Sequence, residues 1–167
     1  MTQAPTRWNP PNVAQPMGAY THLTSVPVGH QLVFIAGQVG IDPDGNVTSD
    51  DPYEQAIMTY ANLERHLDAL RVTPASIIRL LTFVAGSEHL PGWSAARDEV
   101  YARWFGDTLP PGHTLVVVQA LARPNLKVET EGWVAVPQEV SAPVSAEAPA
   151  EVPPPAPPGV SPQLPPA

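Results

Sequence analysis

Apolar residues recur along this chain in two rhythms, and the alternation between them lays out a fold. Tyr53, Ala56, Tyr60, Leu63, Leu67 and Leu70 return every three or four residues and make one stripe along a helix. Asp51 stands at the N-cap of that helix, Pro52 suits its first position, and Glu54 completes a capping-box arrangement. A second helix opens near Ser87-Glu88-His89-Leu90-Pro91, carries Trp93, Ala96, Val100 and Trp104 at helical spacing, and stops at Gly106. Between and around these stripes lie shorter runs crowded with β-branched and aromatic residues. They predict strands around Tyr20–Ser25, Leu32–Ala36, Ser76–Ala85, Leu115–Ala120 and Lys127–Val136.

The resulting order, β-β-α-β-α-β-β, returns the chain to a sheet after each helix. It predicts an α+β fold: one mixed β-sheet covered on one face by two helices. The runs 77–84 and 115–120 are apolar enough to want cover on both sides, which predicts self-association through the uncovered face. Arg79 interrupts the first of these runs and requires a partner or an edge. Asp42-Pro43-Asp44-Gly45-Asn46 is a turn, with proline presetting one dihedral and glycine or asparagine supplying a positive one. Its alternating acids resemble a calcium loop only superficially. Such a loop needs glycine at its sixth position and glutamate at its twelfth, where Val47 and Tyr53 stand, so no metal site is expected.

Candidate chemistry gathers between Pro110 and Val136. His113 and Thr114 stand at the entry of one strand, and Glu129 and Glu131 lie on the next. Alternation puts both carboxylates on one face of their strand with Thr130 opposite. Two acids on so apolar a strand call for either an exposed face or a cleft. Ser87, Glu88 and His89 are the residue types of a hydrolytic triad, but neighbours on one loop cannot face each other in triad geometry. His66 falls off the first helix's stripe and reads as a solvated residue.

Composition narrows the folded unit. Of 23 prolines, eleven fall in residues 137–167, a segment without aromatic residues or apolar period that reads as a disordered, polyproline-like tail. Residues 1–12 read as an irregular N-terminal arm, leaving 13–136 as the domain. Of the net charge of −8, three units belong to the tail, and the single lysine and seven arginines are scattered. That balance argues against nucleic acid as a partner. With no cysteine, disulfides, thiolate catalysis and cysteine-ligated metals drop out. No run has signal-peptide character or transmembrane length, so no membrane association and a cytoplasmic location are expected.

Pro111-Gly112-His113-Thr114-Leu115-Val116, then Ala122-Arg123-Pro124 and Val128-Glu129-Thr130-Glu131, resembles the C-terminal signature of the RidA (YjgF) superfamily. Ala36-Gly37-Gln38, the Pro52-led helix, and Asp98-Glu99-Val100-Tyr101 with Trp104-Phe105 follow in that family's order. The resemblance runs from about residue 13 to residue 136. It implies a RidA/chorismate-mutase-like fold assembled as a homotrimer whose three sheets form a central barrel. The implied activity is hydrolytic deamination of small reactive imines and enamines in clefts between subunits, with no cofactor.

By the same resemblance Tyr20 would lie over the ligand. Ala36, Gly37, Asp98, Thr114 and Leu115 would bind the ligand, and Glu131 would place or activate the attacking water. Asp98 stands where many members have asparagine. Read without the resemblance, Tyr20 is an aromatic at a strand start, and Gly37 marks either a close ligand approach or a β-bulge.

One departure is large: His113 stands where the signature has an arginine that pairs with the substrate carboxylate. An imidazole cannot reproduce the bidentate fork, and losing it would cost roughly 2–4 kcal/mol. Altered or weak activity is therefore implied, with His113 and Glu131 as the catalytic pair. The alternative is a non-catalytic trimer that binds a small molecule, or a scaffold that displays its tails to a polyproline-binding partner through Pro153–Pro158.

Overall fold

The structure, a computed structural model, describes residues 4–138; the polyproline run lies outside the described residues. The chain runs β1 (Thr6–Trp8), β2 (Leu23–Ser25), β3 (His30–Val39), α1 (Pro52–Ala69), β4 (Ile77–Ala85), α2 (Leu90–Phe105), β5 (Gly112–Val118) and β6 (Val128–Pro137). Strands β3 to β6 form one mixed sheet in the order β3-β6-β4-β5. Only β4 and β5 are parallel; β6 runs antiparallel to both of its neighbours. A parallel pair needs a crossover, and α2 supplies it.

The last two strands are therefore not partners, because β4 lies between them. In consequence β5 is an edge, half-exposed along Leu115–Val117, and the glutamate-bearing β6 is central. The edge strand also starts earlier and ends sooner than its apolar run predicted, because backbone pairing with β4 carries it back to Gly112.

Both helices cover one face. Tyr60, Leu63 and Leu67 of α1 pack with Val100 and Phe105 of α2 over Ile77, Leu80 and Val134. A smaller cluster joins Ala56, Val84, Trp93, Ala96 and Val128. Strand β6 is this division in miniature: Val128, Thr130, Gly132 and Val134 are buried, while Glu129, Glu131 and Trp133 are partly exposed. Gly132 is required there, since a Cβ would stand 2.7 Å from Leu80 Cδ2 and 3.0 Å from the Arg79 carbonyl oxygen.

Several local expectations are corrected. The Asp51 side chain caps α1 by accepting from the backbone N–H groups of Tyr53 and Glu54, but Ser49 Oγ, not Glu54, takes the Asp51 N–H. The register of β3 on β6 shifts between Ile35 and Gln38, so Ala36 and Gly37 sit in a β-bulge. The arm is not irregular throughout. Thr6–Trp8 pairs with a strand that occupies only Leu23–Ser25, in a separate two-stranded sheet.

Arg7 anchors that small sheet. Its guanidinium donates to the carbonyls of Leu109, Ala75 and Ile77 and lies 5.1 Å from the Phe105 ring centroid. Arg79 finds its partners on the helix-free face of the central β4: the Trp133 ring at 4.9 Å and Thr114 Oγ1 at 3.0 Å.

Candidate functional site

The arm brings Tyr20 to the start of β5. Thr21, fully buried, donates from Oγ1 to the Pro110 carbonyl at 2.7 Å, and its backbone N–H reaches the Pro111 carbonyl. Next to it, His22 N–H donates to Asn9 Oδ1 at 2.9 Å. These bonds hold Met17–Tyr20 as a wall over α2. Between wall, helix and strand lies a cavity of about 410 Å³, lined by Tyr20, Trp93, Arg97, His113, Thr114 and Leu115 among others. Asp98 and Tyr20 border an adjoining cavity of about 440 Å³ that runs along the end of α2 toward Leu109.

His113 is held on both sides. Its Nδ1 lies 2.8 Å from Tyr101 Oη and its Nε2 lies 2.9 Å from Thr82 Oγ1. Thr82 in turn shares a bond of 2.9 Å with Thr130, both fully buried. The Trp93 ring meets the imidazole edge-on at 5.7 Å. Burial first, and then the positive charges of Arg97 and Arg79, hold the imidazole down at about 4. Burial likewise pushes the Tyr101 phenol up. A neutral hydroxyl–imidazole–hydroxyl chain results, so near neutral pH His113 cannot offer a positive charge to a carboxylate.

The register separates His113 from Glu131. His113 lies beside Leu80, which pairs with Gly132, whereas Thr114 lies beside Leu81, which pairs with Glu131. His113 therefore faces the helices and Glu131 the uncovered side. Within one chain they share no crevice, contrary to the expectation from sequence. Ala36 and Gly37 are farther still, on the opposite edge strand. There the Glu129 carboxylate lies over Gly37, where a Cβ would overlap it.

Trp93 and Arg97 line the cavity beside His113 without having been expected there. Trp93, Arg97 and Tyr101 recur every four residues on α2, a single-face spacing visible in the sequence. The Arg97 guanidinium packs over the Trp93 ring at 4.8 Å and pairs with Asp98 at 2.7 Å.

Two helices on one face of a mixed sheet make an α+β architecture shared with solved Rid-family proteins. A sequence model of the endoribonuclease L-PSP family matches residues 11–136, and the chain belongs to that family, within the RidA (YjgF) superfamily. Among its relatives is a RutC family protein of Pyrococcus horikoshii, 27% identical over 122 residues, covering 66% of this chain and 91% of that protein. A second is protein HMF1 of Saccharomyces cerevisiae, 26% identical over 103 residues, covering 62% and 74%.

The solved Rid-family protein YyfB of Yersinia pestis has a TM-score of 0.69 at 25% identity, covering 80% of this chain and all of that one. The E. coli TdcF structure with bound serine shares the fold, with a TM-score of 0.56 at 21% identity, covering 71% and 89%. Among the described residues no helix is long and apolar enough to cross a membrane.

Proposed function

We propose that this RidA-like protein takes small reactive imine or enamine metabolites into the cavity beside His113 and hydrolyses them, with rate or selectivity altered by that histidine. The observation that carries this reading is the meeting of Tyr20, His113, Thr114 and Leu115 at one cavity of about 410 Å³, a volume suited to a small metabolite. Hydrolysis adds water across the C=N bond. The carbon gains oxygen, the C–N bond breaks, ammonia leaves and a carbonyl remains.

His113 does not serve as the base, because both ring nitrogens are engaged and burial makes the imidazole a weak proton acceptor. In this reading it shapes the cavity wall and adds no charge to it. Water activation falls to Glu131, a carboxylate of the kind that work needs. Because it faces away from the cavity of its own chain, Glu131 would enter the cleft of a second copy. Ala36 and Gly37 would do the same. The uncovered sheet face carries Leu32 and Phe34, 53% and 51% exposed, and is the surface through which copies would assemble. The trimer implied by the resemblance closes such an arrangement.

Ammonia release from 2-iminopropanoate and from an uncharged imine tests the reading, alongside mass in solution by analytical ultracentrifugation. Tyr20→Ala and Glu131→Gln should each suppress turnover alone. Mixed and reassembled, they should recover a fraction of it. Absence of turnover with both substrates in a folded, assembled protein overturns hydrolysis.

A second reading, a non-catalytic binder, draws support from the engaged imidazole and would show as ligand binding without ammonia release. Display of residues 137–167 to a polyproline-binding partner is tested separately, by pull-down with and without that segment.

A further inference from the structure

Arg97 is, among the described residues lining the 410 Å³ cavity, the one formally charged side chain, since His113 beside it is held neutral. Its side chain is 18% exposed and its guanidinium sits over Trp93, with Cζ 4.8 Å from the ring centroid. That packing fixes the head group at the cavity. Its protein partner there is meagre. Nε and Nη2 both donate to one oxygen, Oδ1 of Asp98, at 2.9 and 2.7 Å. Asp98 is itself 63% exposed and adjacent in sequence, so the pair is a solvent-screened one that an incoming anion can replace. A guanidinium so placed has a planar fork suited to two carboxylate oxygens.

The geometry points to Arg97 as the substrate-recognition residue of this cavity, which binds the carboxylate of a small organic acid in competition with the Asp98 carboxylate. The inference rests on the proposed cleft and deepens it. The positive charge that the β5 position lacks is delivered from helix α2. Tyr20 and Leu115 offer the rest of the ligand aromatic and apolar surface. The specificity of the cleft is then for small monocarboxylates over their uncharged counterparts.

Calorimetric titration with pyruvate and with its uncharged amide, pyruvamide, tests this. Wild-type protein should bind pyruvate more tightly than the amide. Arg97→Gln should weaken pyruvate by about tenfold or more, the loss of a charge-assisted contact, and leave the amide unchanged. Asp98→Asn should tighten pyruvate several-fold by removing the internal competitor. Arg103→Gln, a surface change on the same helix, should alter neither. Because Asp98 is exposed, its variant keeps the test decisive should Arg97→Gln fail to fold.

Equal affinity for acid and amide, an Arg97→Gln protein that binds pyruvate as before, or an Asp98→Asn protein that binds it less tightly would each overturn the inference while leaving the cleft standing. Binding of neither probe would overturn the cleft itself, and this inference with it.

Discussion

The two faces of the four-stranded sheet are built from the same strands and have opposite chemistry. Toward the helices, Tyr101, His113, Thr82 and Thr130 form one continuous hydrogen-bonded chain through otherwise apolar packing. On the other side Leu32, Phe34, Trp133, Arg79, Glu129 and Glu131 share a surface that neither helix covers. There the guanidinium leans on an indole, and the acids remain open to solvent. The difference teaches that a polar residue's role here is set by strand parity. His113 and Thr114 are neighbours in sequence, yet one is sealed into the interior and the other bonds Arg79 outside.

The sharpest way to break this contrast is to truncate a leucine on each side. Leu80→Ala, under the helices, should cost about 2–5 kcal/mol in urea denaturation. Leu32→Ala should stay within about 0.5 kcal/mol at protein concentrations where the chain is monomeric. A comparable cost for both would mean that the outer face is covered in solution.

Protonation tests the sealed chain next. The folded His113 titrates near 4 against an ordinary value of 6.5, so between those values the unfolded chain binds the proton that the folded one refuses. Stability contributed by the neutral ring is present above about 6.5 and is lost as pH falls toward 4. The loss amounts to at most about 3 kcal/mol. Denaturation of wild type and His113→Gln across that window should show the extra slope in the wild type alone.

Thr82→Val removes the hydroxyl shared by His113 and Thr130 and should cost about 1–3 kcal/mol, more than the same change at Thr130, which leaves the imidazole its partner. The smallest effect is expected outside: Glu131→Gln should move monomer stability by no more than about 0.5 kcal/mol. Any larger loss would show the carboxylate to be a structural anchor and weaken its assignment to water activation.

Much of this architecture was readable from periodicity. The stripe from Ala56 to Leu67 is the buried face of α1, Gly106 ends α2 at φ 52°, and Glu129 and Glu131 do share a face opposite Thr130. What periodicity could not supply was parity between strands. Alternation says which residues of β6 point together, but not whether they point the same way as His113. That depends on β4, which is interposed between the two and sets the register of both. A slip of one residue in either pairing would have put imidazole and carboxylate on a common side. Strand β1 was unreadable for a related reason. Thr6–Trp8 is too short for a pattern and is held by Arg7, whose partners lie about 70 to 100 residues away, and backbone carbonyls carry no sequence signature.

That arginine has a practical consequence for anyone handling the molecule. The family match begins at residue 11, so a truncation drawn to it would discard Arg7. The carbonyls of Ala75, Ile77 and Leu109 would be left without their shared donor. Asn9 would go as well and take its bond to His22, so Met17 through Tyr20 would keep only the ties around Thr21, and a trimmed protein would retain its helices and sheet while loosening the roof of the cavity.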